Sequence, residues 1–238
     1  MKKILLVSIV TILGLSLLAQ NQNIEGIGIF KISKTTISII KDLSEELNVS
    51  IKQANSSEDL YKAGRRGNPY ILQISPNDQK DFLSPAHSTK CNDFTIYSIS
   101  SYVISTFEFK EIYLTFYHDT LVKFQSKYPE KLGDALRVKF GKPTEESKEK
   151  EITCTYTYTG AETKHKEIDI KHIWKNENIT AQVYFWQYYT SDCEKHFVSG
   201  FYVEDNIHIK LLDECEKRIK EQKEKSLNDD LKKKSDGL

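Results

Sequence analysis

The chain has no excess of either charge. Its 238 residues carry 34 lysines and arginines against 34 aspartates and glutamates. Proteins that bind nucleic acid or anionic membranes mainly through electrostatics have a basic excess or a basic face. We therefore expect no nucleic-acid partner and no attraction to an anionic membrane surface.

The short motifs of several catalytic classes are also missing. The sequence holds no C-x-x-C pair and no G-x-S-x-G, and Gly26-x-Gly28 lacks the third glycine of a dinucleotide site. These absences leave a thioredoxin-type redox motif, a zinc ribbon, a serine-hydrolase elbow and a nucleotide site without support. We predict that the protein uses no cofactor, and a non-enzymatic role is the favoured interpretation.

Long hydrophobic runs are absent except at the N-terminus. There Lys2 and Lys3 precede a mainly apolar run over residues 4–18, and Ala19 supplies a small residue before Gln20. This order is typical of a secretory signal peptide, here residues 1–19, cleaved near Ala19-Gln20. The mature protein is then periplasmic or secreted and has no membrane span. The first cysteine is Cys91, so we expect no lipid anchor at the cleavage point.

Four cysteines remain in the exported chain, and an even number permits two disulfides. The spacing leaves all three pairings open, and buried free cysteines are the alternative. The residues concerned are Cys91, Cys154, Cys193 and Cys215.

The clearest predicted structure lies between residues 152 and 203. Residues 168–189 contain two runs of aromatic and β-branched side chains around the polar turn 175–178, which predicts a β-hairpin. Residues 152–159 alternate strictly between apolar residues and threonine, and residues 197–203 form another apolar run. These segments predict a four-strand antiparallel meander.

Apolar residues at helical spacing predict helices near residues 36–47, 130–140 and 207–222. The expected fold is α+β: an antiparallel meander sheet, mainly from residues 92–203, covered on one face by about three helices. The predicted segments are an N-terminal helix-containing part over residues 20–90 with a long loop at 75–90, the sheet and helices over 91–225, and a disordered charged tail over 226–238.

Two groups of residues are candidates for ligand binding. Tyr184, Trp186 and Tyr188 share one parity of a predicted strand and could stack a ligand, although core packing is the alternative because the other parity is also apolar. Arg65 and Arg66 lie in a turn and could bind an anion, although a solvated loop is the simpler interpretation.

The turn at residues 192–196 gathers residue types that bind metals. Cys193 and His196, joined by His172 from the neighbouring hairpin, form the candidate metal site, and His165 with Glu167 is an alternative source of ligands. The competing interpretation is a polar turn whose cysteine is buried or disulfide-bonded.

Two segments resemble small exported envelope domains of bacteria. The sequence of residues 30–36, FKISKTT, followed by Ile37 and Ile40, resembles the strand-then-helix entry of the BamE/SmpA type, with Ser33 where a glycine is usual. Residues 116–143, which end in KFGKP, are similar to segments of bacterial exported proteins that end in K-Y-G-K-P. The resemblance implies an α+β envelope protein with a scaffolding or binding role and no catalytic residues.

The sequence therefore predicts an exported, non-enzymatic interaction protein whose partner is a protein or small ligand of the cell envelope. The alternative is an exported hydrolase or metal-dependent enzyme that uses the turn at residues 192–196.

Overall fold

The computed structural model describes residues 23–65, 67–75 and 89–235. The predicted signal peptide, Arg66 and residues 76–88 of the predicted loop lie outside the described residues. Within the described part of the chain, nine strands form one sheet and two short strands form a separate pair.

The strands, numbered in chain order, are β1 (Gly26–Ile27), β2 (Phe30–Lys31), β3 (Ile51–Ala54), β4 (Ile71–Ile74), β5 (Phe94–Ile104), β6 (Phe107–Tyr117), β7 (Thr120–Lys127), β8 (Thr144–Thr155), β9 (Glu162–Lys175), β10 (Ile179–Tyr189) and β11 (Lys195–Asp205). The helices of the described residues are α1 (Ile39–Glu46), α2 (Ser57–Arg65), α3 (Leu132–Phe140) and α4 (Asn206–Ser235). The nine-strand sheet has the order β3-β4-β5-β6-β7-β11-β10-β9-β8, and β1 pairs with β2.

The predicted fold class is wrong. The sheet is mixed, because β3 pairs with β4 in parallel. It is also larger than a meander, and its helices do not all lie on one face. Residues 51–54 and 57–65 form β3 and α2, so Arg65, which was predicted to lie in a turn, is the last residue of a helix. The chain is mostly β, and β3 and β4 join the same sheet as β5.

The front face of the sheet carries the main hydrophobic core. The β1–β2 pair, α1 and α3 supply buried side chains to it, among them Phe30, Leu43 and Leu136. The ring of Phe30 lies 5.2 Å from that of Phe124. Because strand side chains alternate between faces, this face is defined by the residues Ile99, Ile112, Leu114, Phe124, Val183 and Phe201.

The back face is covered by α2 and α4. Leu60 of α2 packs on Ile74 and Ile96, while Leu212 and Ile219 of α4 pack near Phe94. The helix α4 begins where Asp205 accepts hydrogen bonds from the backbone N–H groups of two following residues, as an N-cap does. It continues to Ser235, across most of the predicted tail.

The predicted hairpin at residues 168–189 is confirmed as β9 and β10, whose register runs from Thr180 opposite Lys175 to Gln187 opposite Ile168. Of the strand predicted at 152–159, residues 152–155 belong to β8, which begins earlier, at Thr144, whereas residues 156–159 lie in the turn that leads to β9. The charged residues before Ile152 therefore belong to an outer strand of the sheet.

Two disulfides pair all four cysteines. Cys91–Cys215 joins the entry of β5 to α4, and Cys154–Cys193 joins the end of β8 to the turn after β10. The prediction of disulfides is confirmed, and disulfides are compatible with an exported protein. Across the described residues, no helix combines the length and the apolar character needed to cross a bilayer.

Candidate functional site

The last four strands extend beyond the main sheet. We call residues 148–155, 162–170, 185–189 and 195–199 the distal arm, and the rest of the described chain the body. Strand β7 pairs with β11 only from Gly200 to Glu204. Residues 195–199 therefore pair with β10 alone among the described strands. The arm thus has two outer edges, one formed by β8 and one by the first half of β11.

The front of the distal arm carries an apolar groove of about 280 Å³. Phe197 is 71% exposed, whereas Phe185 is half-buried and meets Tyr128 of the body edge to face, with ring centroids 5.0 Å apart. The groove is lined by the front-face residues Ile168, Ile170, Phe185, Gln187, Phe197 and Ser199, and by their strand neighbours Trp186 and Val198, which belong to the back face. Apart from Phe185, its hydrophobic side chains belong to none of the core clusters of the described residues.

The back of the distal arm carries a row of stacked rings. Trp186 stacks on Tyr188 with centroids 4.4 Å apart, and Tyr188 stacks on His196 at 5.2 Å. Trp186 is 43% exposed, whereas Tyr188 and Tyr184 are half-buried. The three aromatic residues predicted to share a face do share one. Because the rings cover one another, Trp186 offers most of the accessible aromatic surface.

Tyr184 lies where the distal arm meets the body. It stands opposite Gly200, and a Cβ placed on Gly200 would be 2.4 Å from the Tyr184 ring. The ring therefore occupies the space that a side chain at Gly200 would fill. Burial raises the pKa of the Tyr184 phenol, so it stays a neutral donor at ordinary pH.

The back face of the body next to Tyr184 is also rich in tyrosine. Burial, with a smaller effect of Glu204, raises the pKa of Tyr202. The ammonium group of Lys123 lies 4.9 Å from the centre of the Tyr202 ring and 2.7 Å from the Glu204 carboxylate. Burial likewise raises the pKa of Tyr113 to about 12. Near neutral pH these phenols therefore stay protonated and serve as neutral hydrogen-bonding groups.

The two edges of the distal arm differ in composition. Along β8, glutamates and lysines point to both faces, and Glu149 and Glu151 form ion pairs with Lys166 and Lys164 across the strand pair, at 2.9 and 2.8 Å. Charged side chains of this kind discourage a second chain from pairing with an edge strand. The edge formed by residues 195–199 instead carries the exposed Phe197 and Val198, the latter 39% exposed.

The turn after β10 reaches across β9 to β8. Thr190 accepts a hydrogen bond from Glu194 N and donates one to Asp192, and the backbone N–H of Thr155 donates to Ser191 O at 3.2 Å. The hydrogen bond from Thr190 lowers the pKa of Asp192. This path places Cys193 beside Cys154, where the disulfide forms.

The structure does not bring the three predicted metal ligands together. His172 stands opposite Val183 on the front face, whereas His196 stands opposite Tyr188 on the back face. Cys193 is held in its disulfide. The alternative ligand His165 is the one that lies beside the cysteines, and one of its ring nitrogens and the sulfur atoms of Cys154 and Cys193 all lie within 4.8 Å of one another.

The predicted anion site lies elsewhere. Arg65 ends α2, with its guanidinium 5.4 Å above the ring of Tyr61, and α2 contacts β3 at the opposite edge of the sheet from the distal arm. A larger cavity of about 500 Å³ lies beside α2. Its Asp59 accepts hydrogen bonds from the backbone N–H groups of Asn55 and Ser56, so this carboxylate serves to begin the helix.

Phe197, Val198, Ile168 and Ile170 are the candidate residues that sequence reasoning missed. Their pattern is that of an ordinary strand. Phe197 and Val198 are exposed where β7 ends, at Lys127, and leaves residues 195–199 paired on one side only. No local signal in residues 195–199 encodes that.

No family model, curated protein sequence or solved structure matches the chain. The resemblance to BamE/SmpA-type domains stays a prediction that rests on the short segments named above.

Proposed function

We propose that the protein is an exported, non-enzymatic binding module that captures an extended segment of a partner polypeptide in the cell envelope. The single observation that carries this proposal is the edge at residues 195–199. It is paired on one side only and carries exposed apolar side chains next to an apolar groove.

A strand edge presents backbone N–H and C=O groups at a regular spacing, and an added strand satisfies them. Alternate side chains of that strand would then point to the front and the back of the distal arm. Those on the front side would meet the groove beside Phe185 and Phe197, and those on the back side would lie near Trp186 and Val198. The main-chain hydrogen bonds would supply affinity, and the groove would select apolar side chains.

The charged edge at β8 supports the same assignment. Edge strands are normally protected by charges, proline, bulges or cover. The protein protects the β8 edge with charged residues between positions 145 and 151, whereas residues 195–199 hold a single charged residue, Lys195, at their start. An unprotected apolar edge in a disulfide-braced arm is expected where association is the function.

Site-specific photo-cross-linking tests this function. A photoreactive residue at Phe197 should give a discrete adduct with an envelope polypeptide. The matched control is Val138 on α3, which is 89% exposed but lies outside the distal arm. Adducts at both positions alike, or none at Phe197, would show that the edge is not a binding surface.

Export is tested separately by the intact mass of the protein recovered from the envelope or medium. We expect the mass of a chain that begins at Gln20, less the hydrogens lost in two disulfides. A mass that includes residues 1–19, or four free thiols, would contradict export.

A further inference from the structure

We infer that Cys154, Cys193 and His165 form a redox-gated site for a thiolate-preferring metal ion such as Zn²⁺. In the oxidised protein the two sulfurs are bonded to each other. When the disulfide is reduced, the same three residues would supply two thiolates and one imidazole. The inference is independent of the proposed binding of a polypeptide.

The position of the three residues follows from the register of β8 and β9. Cys154 stands opposite Thr163, and Ile152 stands opposite His165. Since residues two apart share a face, Cys154 and His165 project from the same face of this strand pair. The turn that crosses β9 adds Cys193 from a third segment of the chain.

The geometry suits a tetrahedral ion. Zinc bonds to sulfur and nitrogen place two ligand atoms about 3.5–3.8 Å apart in a tetrahedral site. The donor atoms of the three residues already lie within 4.8 Å of one another. Both cysteines are buried, with 5% and 8% of their surfaces exposed. After reduction, the sulfurs need only separate from bonding distance to the spacing of two ligands, and a water molecule or a further group could complete the fourth position.

His165 supplies a second, independent observation. Its Nε2 atom is buried and has no hydrogen-bond partner among the described residues. A buried polar atom without a partner is costly, and metal ligation is one way in which such an atom is satisfied. The ring is held by stacking on Tyr189, with centroids 4.2 Å apart and planes 16° apart. A fixed imidazole beside two cysteines is the arrangement that a metal site requires.

The reduction step needs a dithiol reductant, the class to which thiol–disulfide oxidoreductases belong. One thiolate of the reductant attacks a sulfur of the Cys154–Cys193 bond and forms a mixed disulfide, and its second thiol then displaces the protein. The protein gains two electrons and two protons and becomes a dithiol, and the reductant leaves as a disulfide. A divalent ion that binds afterwards displaces the two thiol protons to solvent.

The other disulfide is an internal control. Cys91–Cys215 lies between β5 and α4, and the described residues hold no third ligand grouped with it. If reduction merely released thiols that bind metal without a built site, both pairs would bind equally.

The experiment titrates Zn²⁺ into reduced and oxidised full-length mature protein in competition with a chromophoric chelator. We expect one equivalent of tight binding in the reduced protein and none in the oxidised protein. Cobalt should give the intense visible bands of a tetrahedral thiolate site in the reduced protein alone. The variant C91S/C215S should retain the site, and C154S/C193S should lose it.

The decisive variant is His165→Phe, which keeps a ring to stack on Tyr189 but removes the ligand nitrogen. It should weaken Zn²⁺ binding by more than about tenfold, because loss of even an outer-shell partner of a metal site costs tenfold or more. His196→Phe, which keeps a ring beside Tyr188, should leave binding unchanged. Unchanged affinity in His165→Phe, equal binding by C154S/C193S, or no binding by the reduced protein would overturn the inference. If the thiols of an unfolded reduced chain bound the metal, the affinity would not depend on His165. That result would also count against the inference.

Discussion

The body and the distal arm belong to one sheet but are stabilised differently. In the body, the front face is covered by α1, α3 and the β1–β2 pair, and the back face by α2 and α4. In the arm, the groove and the stacked rings belong to no core cluster of the described residues, Phe185 excepted. Hydrophobic burial and one disulfide therefore hold the body, whereas strand pairing, ring stacking and the other disulfide hold the arm. This difference supports the proposal that the distal arm, and not the body, is the part that binds.

The two tryptophans give the largest expected contrast between body and arm. Trp174 is 1% exposed, packs beside Phe140 and donates a hydrogen bond from Nε1 to Gly141 O at 2.8 Å. Trp174→Ala should lower the free energy of unfolding by about 3–5 kcal/mol, the usual cost of deleting a buried aromatic side chain. Trp186→Ala should cost about 0.5–1.5 kcal/mol, because chiefly its stack on Tyr188 is lost.

Chemical denaturation of both variants measures these effects. Equal losses of stability would mean that the arm is packed as tightly as the body, and the comparison would fail.

The junction between body and arm should respond to Gly200. A Cβ at this position would lie 2.4 Å from the Tyr184 ring, so Gly200→Ala should cost about 1–3 kcal/mol as the ring is displaced. In a Tyr184→Ala background the same change should cost less, giving a coupling energy of about 0.5–3 kcal/mol.

The control for this double-mutant cycle is Gly64→Ala in α2, where an added Cβ meets no atom within 4 Å. That variant should be stabilised by about 0.5–1 kcal/mol, because alanine is the better helix former. Additive effects of Gly200→Ala and Tyr184→Ala would show that the ring does not depend on the glycine.

Acid should weaken the body through the ion pairs of Glu25. Hydrogen bonds from Lys31 and Lys34 lower the pKa of Glu25 from 4.5 to about 2. Because the folded-state pKa lies below the unfolded one, this stabilisation is present above pH 4.5 and is lost as the pH falls toward 2. The Glu25 side chain is 28% exposed, so we expect the effect to be about 1 kcal/mol, the upper end for surface pairs.

Stability measured against pH in wild type and Glu25→Gln checks this prediction. The difference between the two should shrink below pH 4.5. Glu149→Gln removes an exposed ion pair of the arm and should change stability less. A difference between wild type and Glu25→Gln that stays constant with pH would rule out the ion pair as its source.

Much of the sheet could be predicted because most of its strands have a recognisable local sequence pattern. The β9–β10 hairpin has β-branched and aromatic residues on both sides of a polar turn, and α3 ends at Gly141 with Pro143 beyond it. Two kinds of strand escaped prediction. Strand β3 has only four residues, and the first half of β8 is charged on both faces because it is an edge. Periodicity detects one buried face, and an edge strand that lacks one gives no such signal.

The candidate site was predictable only in part. Alternation alone placed Tyr184, Trp186 and Tyr188 on one face, and the structure agrees. The pairing of the cysteines and the place of His165 beside them depend on the path of the turn after β10, which crosses a neighbouring strand. That path is a long-range property, and the spacing of residues 192–196 directed attention to His172 and His196 instead.

The smallest effects on stability, and the most direct effects on binding, should come from adding a charge to the apolar edge of the arm and removing a charge from its other edge. Phe197→Lys adds a charge to the apolar edge, and Lys148→Val removes one from the charged edge. Both side chains are exposed, so each change should alter the free energy of unfolding by no more than about 0.5 kcal/mol.

Association should decrease in Phe197→Lys and increase in Lys148→Val, because a charge on an edge strand discourages pairing with another strand and an apolar residue permits it. Phe197→Lys should abolish binding of the partner segment, and Lys148→Val should promote self-association at β8, measured by light scattering at matched concentration. If Lys148→Val stays as soluble as wild type and Phe197→Lys still binds, edge composition does not control association, and the contrast between the two edges has no functional meaning.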